Sequence, residues 1–154
     1  MDNGFYNDKE YFLDLYLNKY RILLQYMKLK IDTKEKFKVI TPEVKDLTAI
    51  LSDQFQILLT NHLNDPIPNI ILNLKDVEYI SREVGQMLQD VQQSFYNENH
   101  SFVICCLQNA AEKQLDEWEI LEYLNITPTE SEAWDIIQME EIERELLDGE
   151  NDFE

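Results

Sequence analysis

The sequence predicts an α/β fold: a single mixed β-sheet of about four to five strands packed with about four helices, preceded by a helical extension. Three observations carry this. The stretches Asn69-Ile70-Ile71-Leu72-Asn73-Leu74 and Ser101-Phe102-Val103-Ile104-Cys105-Cys106-Leu107 are nearly unbroken in apolar, β-forming residues, the mark of strands covered on both faces. Between them, Val84, Met87, Leu88, Val91 and Phe95 recur at spacings of three and four, which predicts an amphipathic helix and so a β-α-β unit with parallel strands. Ahead of both, apolar and polar residues alternate in Met27-Lys28-Leu29-Lys30-Ile31 and in Phe37-Lys38-Val39-Ile40, around the polar Asp32-Thr33-Lys34-Glu35. That pattern predicts a β-hairpin with one solvated face.

The other elements follow in chain order. Residues 1–26 crowd Phe12, Leu13, Leu15, Tyr16, Leu17, Tyr20, Leu23 and Leu24 at helical spacing and read as a separate amphipathic helix. Three readings of it are open: it packs on the domain, it mediates self-association, or it is coding sequence ahead of a start at Met27. The domain proper spans 27–146, with an acidic tail over 147–154.

After the hairpin, a loop with Pro42 leads to Leu51, Phe55, Leu58, Leu59 and His62 on one helical face, and Asp65-Pro66-Ile67-Pro68 stops that helix. Val77 and Ile80 continue the buried path beyond the first apolar strand, and polar Asn97-Glu98-Asn99-His100 ends the second helix. Ala110 to Leu115 and Trp118 to Leu124 read as short helical turns, and Asn125-Ile126-Thr127 as a short edge strand. Thr129 with Glu132 is a capping-box signature for a last helix through Trp134, Ile136, Ile137, Met139, Ile142 and Leu146, which Gly149 is predicted to end.

The chain has 154 residues and a formal charge of -18, from 31 acidic against 13 basic side chains. Such a field repels phosphate backbones and anionic lipid, so nucleic acid and membrane insertion are disfavoured and a protein partner with a basic patch fits better. Cys105 and Cys106 are the only cysteines and adjoin, so no disulfide framework can form, which predicts a reduced, cytoplasmic protein. No apolar stretch approaches the roughly 20 residues of a membrane span, and the start does not read as a secretion signal.

At the central strand and the turn after it, the residues Ile71-Leu72-Asn73-Leu74-Lys75-Asp76-Val77-Glu78-Tyr79-Ile80 resemble the STAS family. Its pattern is an apolar strand, a turn with a Val, two further strand residues, then Asp-Ser-Ser-Gly opening a helix. The likeness extends to the Lys28–Ile40 hairpin, Leu47, the Ser101–Leu107 strand and the ending from Ile126-Thr127-Pro128-Thr129 to Met139-Glu140-Glu141-Ile142-Glu143-Arg144-Glu145-Leu146. That ending is similar to anti-sigma factor antagonist-like proteins of the Bacteroidetes lineage. The resemblance implies a non-enzymatic regulatory binding module in a partner-switching pathway, without cofactor, whose partner is an anti-sigma factor or serine kinase of that class. A homodimer is compatible with it. The same family also implies a second role, as an accessory subunit bracing a larger, for example transporter-associated, complex.

The departure falls on the functional loop, where Ser81-Arg82-Glu83-Val84 stands in place of Asp-Ser-Ser-Gly. In typical members a partner kinase phosphorylates a serine there and so blocks the complex, an added charge of about -1.5 to -2 being enough to release a partner. The resemblance puts Arg82, which accepts no phosphate, in that serine's slot, Asn73 where an acidic residue is usual, and Val84 at the glycine. The partner-binding loop and helix it implies comprise Ile80, Ser81, Arg82, Glu83, Val84 and Gln86. Ser81 is the remaining phosphorylation candidate in the loop, and its plainer reading is the N-cap of a helix beginning at Arg82.

Other chemistry is weakly signalled. Cys105 and Cys106 with His62 and His100 invite a metal reading, but adjacent strand residues point to opposite faces, and two core thiols fit better. No catalytic residues are predicted. Glu140, Glu141, Glu143 and Glu145 read as a solvated helix face, and Gly4, Gly85 and Gly149 lie in no phosphate-binding loop. Trp118 and Trp134 are expected to close the core.

Overall fold

A computed structural model describes residues 27–151. The helix predicted within 1–26 lies outside the described residues. Strands β1 (Leu29–Thr33) and β2 (Lys38–Pro42) form the antiparallel hairpin, with Ile31 opposite Ile40. β2 then pairs in parallel with β4 (Ile70–Asn73), β4 with β6 (Phe102–Cys105), and β6 with β7 (Ile126–Thr127). The five-stranded order is β1-β2-β4-β6-β7, the mixed sheet that the sequence predicted. The two longest apolar runs take the interior positions because β4 and β6 are buried at every residue.

Four α-helices pack on this sheet: α1 (Ser52–Asn61), α2 (Arg82–Asn97), α3 (Asn109–Glu117) and α4 (Glu130–Asn151). Alternation along each strand divides the interior in two. Ile40, Ile70, Leu72, Phe102 and Ile104 face one layer, with Phe55, Leu58 and Leu59 of α1, Val84, Leu88, Val91 and Phe95 of α2 and Leu115 of α3. Val39, Ile71, Val103 and Cys105 face the other layer, which Ala133 and Ile137 of α4 close. One face thus carries a thick core and the other a single helix.

Several details depart from the sequence pattern. The last helix continues through Gly149 rather than ending there, since no glycine among the described residues adopts the positive φ that terminates a helix. Ala110–Leu115 belongs to a full helix, α3, while only Leu121–Tyr123 of the next stretch forms a 3₁₀ turn. Cys105 is buried but Cys106 is half-exposed, beyond the end of β6 and at φ 62°, so strand alternation does not govern it. Trp118 and Trp134 are half-buried on the core margins, Trp134 stacking on Phe37 with ring centroids 4.6 Å apart.

The end of the sheet where β4 and β6 begin is tied by polar side chains. Buried Asn69 accepts from the Ser101 N–H through Oδ1 at 2.9 Å and donates through Nδ2 to Glu141 Oε1 at 2.8 Å. It thereby joins β4, β6 and α4. Asn69→Ala is expected to cost about 1–3 kcal/mol in urea unfolding, because the buried Ser101 N–H is left without an acceptor. Nearby, Glu140 holds Asn125 Nδ2 at 3.1 Å, and burial raises its carboxyl above the usual range.

His62, following α1, shares the Asp65 carboxylate with Lys38: its Nδ1 lies 2.9 Å from Oδ2, which also accepts from the Lys38 ammonium. Burial, helped by the Lys38 charge, lowers the imidazole below its ordinary 6.5 in spite of Asp65. The unfolded chain therefore takes up a proton near pH 6.5 that the folded one refuses, and stability falls as pH drops from about 7 to about 5. In His62→Gln this part of the slope should vanish, read as the difference between the two proteins' unfolding free energies across that window.

Candidate functional site

The opposite end of the molecule is built around the start of α2. The two-residue strands β3 (Asp46–Leu47) and β5 (Tyr79–Ile80) pair in parallel as a separate small sheet. Lys45 C=O accepts from both Glu78 N–H at 2.8 Å and Tyr79 N–H at 3.0 Å, and Leu47 C=O from Ser81 N–H at 2.9 Å. These bonds, with fully buried Leu47, Val77 and Ile80, pin the chain just before the helix.

Ser81 is the N-cap. Its φ of -69° and ψ of 158° are extended, and its Oγ accepts from Val84 N–H at 3.2 Å. The residue is only 5% exposed, so its hydroxyl is committed to the helix end and turned away from solvent. Ser52 Oγ of α1 donates to Glu83 C=O at 3.3 Å, fastening α1 to the first turn of α2.

The six residues singled out in the sequence thus fall into two groups. Ile80, Ser81 and Val84 are buried supports, whereas Arg82, Glu83 and Gln86 are exposed. Glu83 complements the positive N-terminal end of the helix and Arg82 opposes it, so Arg82 is not there to stabilise the helix. Gly85, one position beyond the slot the resemblance assigned to glycine, allows a close helix approach: a Cβ there would meet Leu115 Cδ2 at 3.1 Å and Ile120 Cδ1 at 3.2 Å.

Two further residues extend this surface. Tyr79 is 43% exposed on β5, beside the capped turn, and Ile50 is 89% exposed in the 3₁₀ turn (Ala49–Leu51) that leads into α1 and packs near α2. Sequence reasoning passed over Ile50 because it adjoins the apolar run of α1. The available signal was its phase: it lies well off the stripe of Leu51, Phe55, Leu58 and Leu59. An isolated exposed apolar residue is ordinary, but one grouped with an aromatic and a charged pair beside a rigid turn has the composition of a binding surface.

Among the described side-chain contacts the Ser81 hydroxyl accepts from the Val84 N–H, and none joins it to a basic side chain. The cysteine and histidine residues are also set apart, since His100 precedes β6 and Cys105 ends it, a strand length of roughly 15 Å. Among the described residues no three His, Cys, Asp or Glu side chains gather as a metal site, and no helix is long and apolar enough to cross a membrane.

The sequence profile of the STAS domain matches residues 28–133. The chain belongs to the STAS family. Solved STAS structures share the fold at low identity. A Thermotoga maritima protein assigned as an anti-sigma factor antagonist superposes with a TM-score of 0.65 at 19% identity, covering 75% of this chain and 98% of that one. The anti-sigma factor antagonist SpoIIAA in its unphosphorylated form gives 0.58 at 12%, covering 71% and 96%. The murine anion transporter Solute Carrier 26 family member A9 gives 0.57 at 11%, covering 70% of this chain but 18% of the transporter. Among curated protein sequences none is significantly similar.

Proposed function

We propose that this STAS domain is a regulatory protein-binding module, acting as a constitutive binder rather than a phosphorylation switch. Its partner is of the anti-sigma factor or serine-kinase class and docks on Ile50, Tyr79, Arg82, Glu83 and Gln86. The observation that carries this reading is the state of the α2 N-terminus. The one hydroxyl in the turn, Ser81, is buried and spent as the cap, while the positions after it present a guanidinium and a carboxylate to solvent.

A phosphate on Ser81 requires the cap bond to break and the side chain to leave its buried place, a cost that an exposed switch serine does not incur. Fixed charges at Arg82 and Glu83 instead give the surface a permanent electrostatic pattern. Exposed charge pairs contribute little to stability, but across an interface they select partners and raise association rates. The overall charge of -18 favours a basic protein face over nucleic acid.

The accessory role in a larger complex is a second reading, favoured by the likeness to a segment of an anion transporter. The two are separated by pull-down of the full chain against the host's serine kinases of the anti-sigma class. Recovery of such a kinase supports the regulatory reading. Recovery of a membrane transporter in its place supports the accessory one.

A further inference from the structure

The adjacent residues Cys105 and Cys106 share one side of the sheet, although strand alternation would part them. Cys105 ends β6, fully buried in the layer that Ala133 and Ile137 close, and half-exposed Cys106 packs against that same layer. The φ of 62° at Cys106 turns it there. Among the described residues the other non-glycine residues with positive φ are Asn99 and Glu119, and both follow helix ends. There the next N–H closes back on the helix, His100 on Phe95 C=O and Ile120 on Leu115 C=O, an ordinary helix stop. Cys106 follows a strand, so no such stop explains its backbone. A residue kept in a sparsely populated conformation by its surroundings is a sign of function. Its surroundings do keep it: Cys105 C=O accepts from Leu74 N–H at 3.0 Å, and Cys106 N–H donates to Thr127 C=O at 3.3 Å.

We propose that Cys105 and Cys106 form a two-thiolate site for a soft, closed-shell, two-coordinate cation, Cu(I). Burial, and then a hydrogen bond and charge from Cys106, raise the Cys105 thiol above its ordinary range, so the two sulfurs are within reach of each other. The further charge acting on Cys105 is the Glu130 carboxylate at the start of α4, an anion that favours a cationic guest.

A disulfide is a poorer product of this pair. Adjacent Cα atoms are about 3.8 Å apart, short of the roughly 4.4–6.8 Å that a disulfide bridges without strain. An ion between the sulfurs relaxes that limit, because two metal–sulfur bonds of roughly 2.3 Å replace one S–S bond of about 2.0 Å. Zn(II) is a poorer guest, since it takes four donors and among the described residues no three His, Cys, Asp or Glu side chains gather. Cu(I) prefers soft thiolates and is satisfied by two of them. Binding replaces both thiol protons: Cu(I) and two S–H groups give a dithiolate complex carrying one negative charge and two released protons, with no change of oxidation state. Half-exposed Cys106 is the point of entry, and buried Cys105 completes the pair.

Anaerobic titration of the full chain with Cu(I), in competition with a chromophoric Cu(I) chelator, tests this. One ion should bind per chain, with two sulfur neighbours in X-ray absorption, and excess Zn(II) should not displace it. Cys105→Ser and Cys106→Ser should each weaken binding at least about a hundredfold, as expected when one of two ligands is lost. Cys106→Ser changes a half-exposed side chain, and thermal unfolding like that of the native chain separates loss of copper from loss of fold. Cys105→Ala, which puts no hydroxyl in the core, serves if Cys105→Ser unfolds. Native-like copper affinity in a folded variant at either position overturns the proposal, as does nitrogen or oxygen in place of the second sulfur. A mass that doubles as copper is added makes the ion a bridge between two copies through Cys106 and overturns it too.

Discussion

Reversing the two charges at the start of α2, as Arg82→Glu with Glu83→Arg, should weaken capture of the partner at least tenfold, about 1.4 kcal/mol or more, and leave stability within about 0.5 kcal/mol. Both side chains are exposed, and among the described contacts neither makes a side-chain hydrogen bond or ion pair within the domain. Their removal therefore costs the fold little. The backbone beneath them is held independently of their charge, by the Ser81 cap, by Ser52 Oγ on Glu83 C=O and by the β3–β5 pair. A partner reading the charge pattern would meet like charges where it had met opposite ones, which lowers the association rate and adds an unpaired charge to the contact. Binding by titration calorimetry, with thermal unfolding beside it, checks both halves. Unchanged affinity would move the interface elsewhere.

Phe102→Ala should destabilise the domain by about 3–5 kcal/mol, a large part of the 5–15 kcal/mol that usually holds such a domain together. Phe102 is 1% exposed at the start of β6, opposite Ile70, and its ring lies 5.3 Å from that of Phe95 in α2. Truncation opens a cavity between the central strands and the helix that carries the binding turn. Its carbonyl also accepts from Gln92 Nε2 at 3.0 Å, so the helix stays tethered while its apolar contact is lost. Chemical denaturation measures the loss. A cost under about 1 kcal/mol would mean that Phe95 collapses into the space and that the core is more plastic than its packing suggests.

Much of this architecture was legible in the residues. Ile70–Asn73 and Phe102–Cys105 declared themselves by unbroken apolar runs, because only interior parallel strands need both faces covered. The stripe from Val84 to Phe95 predicted α2, and Ser81 and Thr129 were readable as caps; Thr129 Oγ1 does accept from Glu132 N–H at 3.1 Å. The β3–β5 pair was not legible, since two residues per strand set no period and the pairing joins positions 33 residues apart. Gly149 misled because a helix-ending glycine acts through positive φ, which the residue type permits but does not impose.

At the site, Arg82 and Glu83 were legible as exposed charges of a first helical turn. The grouping of Ile50 and Tyr79 with them was not. It depends on the small sheet and on how the 3₁₀ turn before α1 packs near α2, both products of tertiary structure.

The central claim, binding without a switch at Ser81, is tested most directly by intact-mass analysis of the full chain. The protein is incubated with ATP and a serine kinase of the anti-sigma class, and the mixture is then resolved by size. The expected result is an unmodified chain that travels with the kinase whether or not ATP is present. One phosphate on Ser81, with the complex falling apart as it is added, would contradict the account.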